Sequence, residues 1–244
     1  MPKLLISIRS SGEVSAALAG GCDVLDIKEP ENGPLGMASA DVISRIFNHS
    51  LTNRQDILKS VALGELHDWP ADRTPNSMLS QANILKVGPG NFEEIEEWTH
   101  SLKSLIHHFE HHQVLTGQFI AVSYADSPLG QSILSQSPDD QLQIFHELRA
   151  TNCTGLLVDT QYKTSSCLTK HASETQLLQF CNNCHVTGLT SALAGSLQRE
   201  EVTKLINSGI NPNYFGFRSA ACVSGIRTQE IDAARVRDLK RCLS

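Results

Sequence analysis

Five charged residues stand at or just beyond the ends of short apolar runs, where acid, base and amine chemistry would be concentrated. They are Asp26 and Lys28 in DVLDIKEP, Lys86 in NILKVGPG, and Asp159 and Lys163 in GLLVDTQYK. Lysine is costly inside a protein unless it is neutral or paired, because its ammonium group must leave water. Three lysines and two carboxylates placed in this way indicate one opening that suits a substrate with carbonyl and phosphate groups.

Asp26 and Lys28 alternate along the chain, so on a strand they share one face with Val24. A carboxylate beside an amine can hold and move its proton, and nearby ammonium charges favour the neutral, nucleophilic amine. This combination is typical of enzymes that form a Schiff base between a lysine and a carbonyl substrate. The spacing leaves open a second interpretation, in which a buried Asp–Lys ion pair closes the rim of the fold.

Two segments rich in small residues predict an anion site. TSALAGSL (190–197) and FRSAACVSG (217–225) each follow a predicted strand. Small residues let backbone N–H groups approach a phosphate, and the loops after strands 7 and 8 often bind phosphate in a parallel barrel. The expected phosphate-binding residues are Gly195, Ser196, Arg218, Ser219 and Ala220, with Arg218 giving a forked contact. A tight helix–strand packing corner would have the same composition.

The scaffold for these residues is predicted by short β-rich runs that alternate with longer amphipathic stretches, the pattern of βα units in a parallel sheet. The predicted strands are 3–8, 23–28, 57–63, 83–88, 118–123, 154–159, 184–188 and 213–218. The predicted helices lie near 12–19, 38–48, 91–110, 138–151, 171–182, 198–208 and 229–239. Eight strands in 244 residues fit an α/β fold with one (β/α)8 TIM barrel, a single domain over residues 1–244. The stretch 64–80 shows no clear pattern.

The segment 29–37, EPENGPLGM, is the longest irregular piece inside a predicted βα unit. Two prolines and two glycines prevent regular structure, and the segment follows strand 2 directly. Loops at the C-terminal ends of barrel strands carry active sites, so this segment is a candidate active-site loop. The alternative is an ordinary polar connection.

Composition limits the class of partner. The net charge of −6 argues against a nucleic-acid surface, which is normally basic. The apolar stretch at the N-terminus is too short for a signal peptide or a membrane span. The seven cysteines are an odd number scattered over a long chain, as expected of reduced thiols. We therefore expect a cytoplasmic protein that binds a small phosphorylated molecule, with no nucleic acid and no membrane; a homo-oligomer is admissible.

Two other patterns favour a different class, a metal- or haem-binding protein. Cys181-Asn-Asn-Cys184-His185 has the spacing of a haem-attachment motif, but such attachment normally belongs to exported proteins. The histidines at 107, 108, 111 and 112 include i, i+4 pairs that could bind a metal on one helix face. They lie in a polar stretch far from the predicted strand ends. We treat both as alternatives and expect no metal and no organic cofactor.

The whole chain resembles the (5-formylfuran-3-yl)methyl phosphate synthase family. LLISIRSSGEVSAALAGGCDVLDIKEPENGPLG is similar to the family's opening, which runs into "EA..GGADIIDVKNP..GSLG". The resemblance continues through ILKVG, VSYAD, GLLVDTQYK, GLTSALAGSL and FGFRSAAC, and it is most specific in DIKEPENGPLG and DTQYK. The family's strand-2, strand-4 and strand-6 residues fall on the five charged positions named above.

The resemblance implies a TIM-barrel lyase of the class I aldolase type, which joins two molecules of glyceraldehyde 3-phosphate into a furan aldehyde phosphate in methanofuran biosynthesis. Lys28 would form the imine, Asp26, Asp159 and Lys163 would move protons, and Lys86 would stabilise negative charge; Lys163 is a rival nucleophile. The strand-8 loop departs from the family, with Ser219 for a glycine and VSGIR for a basic stretch. Another Schiff-base aldolase or a sugar-phosphate isomerase is the alternative on the same fold.

Overall fold

The computed structural model describes residues 1–53, 56–162 and 167–243, and these residues form a closed barrel of eight parallel strands in sequence order. The strands are β1 (Lys3–Ile8), β2 (Val24–Ile27), β3 (Leu58–Glu65), β4 (Ile84–Gly88), β5 (Gln118–Tyr124), β6 (Gly155–Asp159), β7 (Thr190–Leu193) and β8 (Tyr214–Phe217). Each strand pairs with the next, and β8 pairs with β1. The predicted α/β class and TIM-barrel architecture are confirmed.

Helices follow every strand except β3. They are α1 (Val14–Ala19), α2 (Ala40–Phe47), α3 (Ile95–His111), α4 (Pro128–Leu134), α5 (Pro138–Ala150), α6 (Glu174–Thr187), α7 (Arg199–Asn207) and α8 (Ala233–Cys242). Serine side chains at 39, 137 and 173 accept a backbone N–H in the first turn of α2, α5 and α6. Between β3 and β4 the chain makes two 3-10 turns, Leu66–Asp68 and Ser77–Gln81, which explains the absence of a helical pattern over 64–80.

The strand that we predicted at 184–188 is wrong. These residues continue α6, and β7 lies two residues further on, at Thr190–Leu193. Ser173 and Gln176 form a capping box at the start of α6, and Gly188 ends it in a left-handed conformation with φ 71°. The apolar Cys184 and the β-branched Val186 resembled a strand because a buried helix end and a short strand have similar local composition.

β1 shows how the strands build two apolar layers. Leu4, Ile6 and Ile8 face outward and pack in the core between the sheet and the helices. Leu5 faces inward, into a smaller cluster that fills the barrel. This alternation follows from the two-residue period of a strand. Among the residues that the structure describes, no helix is both long and apolar enough to cross a lipid bilayer.

Candidate active site

Asp26 lies on the inner face of β2 and binds side chains from three other strands. Its Oδ1 is 2.7 Å from Nζ of Lys86 on β4 and accepts a hydrogen bond of 2.9 Å from Ser60 on β3. Its Oδ2 accepts a hydrogen bond of 2.9 Å from Ser7 on β1. Asp26 and Lys86 are both buried. The carboxylate therefore joins the first four strands at a polar layer inside the barrel.

Neighbouring charges decide the protonation state of Asp26. Burial raises the pKa of its carboxyl and is the largest single effect, but the ammonium groups of Lys86 and Lys28 oppose it. Together with hydrogen bonds from Lys86 and Ser7, they bring the pKa below its usual value. Asp26 is consequently a carboxylate at neutral pH, and it can accept a proton more readily than it can supply one.

Lys28 follows β2 directly and lies under the loop formed by residues 29–37. Its Nζ donates a hydrogen bond of 3.3 Å to the Pro34 carbonyl oxygen. The side chain of Leu35 is buried and lines the same cavity as Lys28. The loop thus forms one wall of the site, which supports its interpretation as an active-site loop.

Asp159 ends β6 and is buried at the same opening. Its Oδ1 accepts a hydrogen bond of 2.7 Å from the backbone N–H of Thr160. Asp126, in the VSYAD segment after β5, accepts hydrogen bonds from the backbone N–H groups of Gln161 and Tyr162, at 2.6 and 2.9 Å. These bonds fix the chain just after Asp159. Lys163, the remaining strand-6 candidate, lies outside the described residues.

One cavity at the C-terminal ends of the strands contains nine of the ten predicted site residues. They are Asp26, Lys28, Lys86, Asp159, Gly195, Ser196, Arg218, Ser219 and Ala220. The cationic residues of β2 and β4 stand on one side, and the small residues after β7 and β8 on the other. The sequence thus predicted the two halves of the cavity separately, and the closed barrel brings them together.

The small-residue half of the cavity is distinguished by its backbone conformation. Gly195 and Ser196 both have positive φ, 101° and 54°, in the loop after β7. A Cβ added at Gly195 would lie 3.0 Å from Thr160 Cγ2 and 3.2 Å from Leu168 Cβ, so a larger residue would require these neighbours to move slightly. After β8, residues Ser219–Ala221 form a 3-10 turn. Successive backbone N–H groups in such turns can surround a phosphate.

Arg218, the predicted forked phosphate contact, is held by groups within the protein. Its guanidinium forms a salt bridge with Glu13, with bonds of 2.6 and 2.9 Å, and both side chains are buried. The remaining N–H groups donate to the carbonyl oxygens of Ser7, Arg227 and Gln229. All five N–H groups have acceptors within the protein. These contacts fix the loop after β8 to β1, and phosphate binding by Arg218 stays a prediction.

Arg227 is a cavity residue that we did not predict. It belongs to the VSGIR segment and lines the cavity from the loop after β8. Within the described part of the chain, the one hydrogen bond of its side chain is a 3.5 Å contact from Nη2 to the Pro30 carbonyl oxygen. Burial lowers the pKa of its guanidinium, and the nearby Asp159 carboxylate opposes that effect. An arginine keeps its charge in such a setting. No strand end or small-residue run marks this position in the sequence.

The two alternative patterns lie away from the cavity. Cys181 and Cys184 are buried on α6, where burial raises the pKa of Cys181 to about 12 and that of Cys184 well above its usual value. The histidines of the second pattern lie on α3 or at its end. Within residues 1–53, 56–162 and 167–243, no three His, Cys, Asp or Glu side chains are grouped to hold a metal ion.

The cavity therefore combines amines for attack on a carbonyl, carboxylates for proton transfer, and cations and small-residue loops for an anion. Such a set suits a small substrate with both a carbonyl and a phosphate.

The comparisons with known proteins agree with this chemistry. The model of the 4-HFC-P synthase family matches residues 4–240. The chain is 30% identical to the (5-formylfuran-3-yl)methyl phosphate synthase of Methanobrevibacter smithii, over 97% of each chain. It is 26% identical to the putative (5-formylfuran-3-yl)methyl phosphate synthase of Methylorubrum extorquens, over 96% of this chain and 89% of that one.

Solved structures support the fold alone. Phosphoribosyl anthranilate isomerase from Thermus thermophilus superposes with a TM-score of 0.59 at 13% identity, over 99% of this chain and 98% of that chain. Thiamine phosphate pyrophosphorylase from Pyrococcus furiosus gives a TM-score of 0.56 at 14% identity, with 99% and 95% covered. A similar fold at this level of sequence identity does not show that two proteins catalyse the same reaction. The family match over nearly the whole chain does identify its relatives: this protein belongs to the 4-HFC-P synthase family.

Proposed function

We propose that this protein condenses two molecules of glyceraldehyde 3-phosphate to 4-(hydroxymethyl)-2-furancarboxaldehyde phosphate through a lysine Schiff base, as a step of methanofuran biosynthesis. One observation carries the proposal: Lys28, Lys86, Asp26 and Asp159 meet in a single cavity whose far side is formed by small-residue loops and Arg227. Family membership supports the same reaction. Two trioses supply all six carbons, and the product forms with loss of one phosphate and two waters.

Lys28 is the proposed nucleophile. It lies at the cavity next to the loop of residues 29–37, whereas Lys86 is engaged by Asp26 deeper in the barrel. The neutral amine of Lys28 would attack the carbonyl carbon of the first triose, and loss of water would leave an imine. The imine withdraws electrons and makes the adjacent carbon acidic, which permits phosphate elimination and then carbon–carbon bond formation.

The other charged residues have separate tasks. Asp26, held as a carboxylate, positions the side-chain nitrogen of Lys86 beside the place where an oxyanion would develop. Asp159 and Lys163 would move protons during isomerisation, elimination and ring dehydration. For Lys163, this role is proposed from its place in the DTQYK motif.

Phosphate would be bound by the backbone N–H groups of Gly195, Ser196, Ser219 and Ala220, with Arg227 as the cation. This assignment replaces Arg218 by Arg227. The substrate is then a small phosphorylated molecule, and we place the reaction in the cytoplasm, where triose phosphates are formed. A net charge of −6 is compatible with such a local anion site because cationic side chains, among them Lys28, Lys86 and Arg227, line the cavity.

The test is to incubate the purified protein with glyceraldehyde 3-phosphate. We expect a product with the mass and near-ultraviolet absorbance of the furan aldehyde phosphate, and one inorganic phosphate for each furan. Borohydride added during turnover should reduce the imine and leave a stable adduct on Lys28, and Lys28→Arg should abolish both adduct and product. Absence of a furan would exclude the proposed reaction. An adduct on Lys163 alone would reassign the nucleophile.

A further inference from the structure

Glu65, the last residue of β3, turns towards the mouth of the barrel because the strand is bulged just before it. β3 pairs with β4 at Ala62 and Lys86 and again at Glu65 and Gly88, so three steps along β3 match two along β4. Without the extra residue, the strand period would place Glu65 on the same outward face as Leu63. Bulges of this kind re-aim side chains and occur often beside active sites.

The backbone around the bulge is specialised for this arrangement. Gly64 has φ 84°, a conformation that favours glycine, and an added Cβ there would collide with the Asp68 carboxylate. The Gly64 N–H donates a hydrogen bond of 2.9 Å to the carbonyl oxygen of Leu35, in the loop that lines the cavity. The position of Glu65 is therefore tied to the wall of the site.

The Glu65 carboxylate occupies space that the neighbouring strand leaves open. A Cβ added at Gly88 would collide with Glu65 Oε2, so only glycine permits the carboxylate to lie there. Oε2 accepts a hydrogen bond of 2.9 Å from the backbone N–H of Gly90. Oε1 accepts one of 2.5 Å from the hydroxyl of Tyr124. Both oxygens are thus held in fixed directions.

Tyr124, which donates to this carboxylate, lies beside a residue that lines the cavity. It ends β5 inside the barrel and is only 1% exposed, and it pairs in register with Asp159, which lines the cavity. Burial, followed by the charges of Glu65 and Asp159, raises the pKa of Tyr124 well above its usual value. Tyr124 is therefore a neutral phenol that donates to Glu65 and whose oxygen can still accept a hydrogen bond from a substrate hydroxyl.

We propose that Tyr124 and Glu65 form a proton relay for a hydroxyl of the sugar-phosphate substrate on the β5–β6 side of the mouth, an inference that rests on the proposed function. During ring closure, the hydroxyl oxygen bonds to a carbonyl carbon and its proton passes to Tyr124, whose own proton passes to Glu65. The carbonyl π electrons move to the carbonyl oxygen, which takes a proton from water.

The relay is restored when the ring loses water. Glu65 returns its proton through Tyr124 to the departing hydroxyl, which leaves as water, and the adjacent carbon gives up a proton to solvent as the ring double bond forms. The pair then ends in its initial state. The relay acts on the hydroxyl oxygens of the substrate, and Asp159 and Lys163 keep the proton transfers at carbon that are proposed above.

The experiment compares Tyr124→Phe, Glu65→Gln and the double variant with wild type, using the intact protein and glyceraldehyde 3-phosphate. Furan formation should fall by about a hundredfold or more in each single variant, the usual size of a general acid–base contribution. The double variant should be no slower than the slower single variant, because the two residues act as one unit. Borohydride should still trap the imine adduct at wild-type yield. Tyr162→Phe, which removes an exposed hydroxyl near the same opening, is the matched control and should retain wild-type turnover.

Several outcomes would overturn the relay. Furan formation within about threefold of wild type in either single variant would show that the pair moves no essential proton. Loss of the trapped adduct together with the furan would place the defect before ring closure, in imine formation or in the fold. If the losses of turnover in the two single variants multiply in the double variant, the two residues act independently and not as one relay. A wild-type protein that forms no furan would refute the proposed function itself, and this is seen before any variant is measured.

Discussion

Lys86 Nζ and Asp26 Oδ1 lie 2.7 Å apart inside the barrel, and the side chains of the two residues are 4% and 1% exposed. Spacing alone left two interpretations of the charged cluster, a buried ion pair or a reactive group. The structure shows that the pair is buried and also lines the cavity. The proposed function therefore makes stability and activity depend on the same two side chains, and variants must be designed to separate them.

Asp26→Asn should destabilise the fold by about 3–5 kcal/mol, because it leaves the Lys86 ammonium buried without its carboxylate. The double variant Asp26→Asn, Lys86→Met should recover much of that loss, since no charge is then stranded. Both variants should be inactive. Urea unfolding gives the stabilities. A double variant that is less stable than Asp26→Asn would contradict the ion-pair assignment.

Stability should depend on Asp26 in a defined range of pH. The pKa of Asp26 in the folded protein is below its usual value of 3.8, so its contribution is fully present above that value. The contribution is lost as the pH falls through the folded-state pKa, because the unfolded chain then binds the proton more readily. The stability difference between wild type and Asp26→Asn should be constant from about pH 7 to pH 5 and shrink below about pH 4. A difference that already shrinks above pH 5 would contradict the lowered pKa.

Arg227 and Arg218 should respond in opposite ways to substitution. Arg227→Gln should raise the KM for the phosphorylated substrate by at least about tenfold, the equivalent of one charge-assisted contact, and leave the melting temperature nearly unchanged. Arg218→Gln should lower stability by about 3–5 kcal/mol, because Glu13 is then buried without its partner. Steady-state kinetics and thermal unfolding of the two variants measure both effects. Equal KM for wild type and Arg227→Gln would remove Arg227 from the anion site.

The sequence predicted the barrel and most of the cavity because both depend on local patterns. Strand ends such as those at Asp26 and Lys86 follow apolar runs, and a closed parallel barrel brings all its strand ends to one opening. Strand 7 was misplaced because four residues carry too little periodicity to outweigh the apolar end of α6. The misplaced strand did not affect the prediction of Gly195, because the small-residue loop that contains it follows the true β7.

The features that were not predicted concern long-range partners. The contact between Arg218 and Glu13 joins residues that are 205 positions apart in the chain. Glu65 and Tyr124 were not predicted because they meet across three strands, 59 residues apart, and only after a bulge turns Glu65 inward. No local pattern identifies such contacts. Arg227 was not predicted for a similar reason, because only the folded path of the loop after β8 brings its side chain to the cavity.

Gly195→Ala should affect both stability and phosphate binding. The residue has φ 101°, and the new Cβ would lie 3.0–3.2 Å from atoms of Thr160 and Leu168, so the loop after β7 must shift. We expect a loss of about 1–3 kcal/mol in stability and a raised KM. Gly188→Ala is the control, because φ is also positive, at 71°, but no atom lies within 4 Å of the added Cβ. It should cost about 1 kcal/mol or less and leave KM unchanged. If Gly195→Ala changes stability but not KM, the loop after β7 does not bind the phosphate, and the anion site must be formed by Arg227 and the turn after β8.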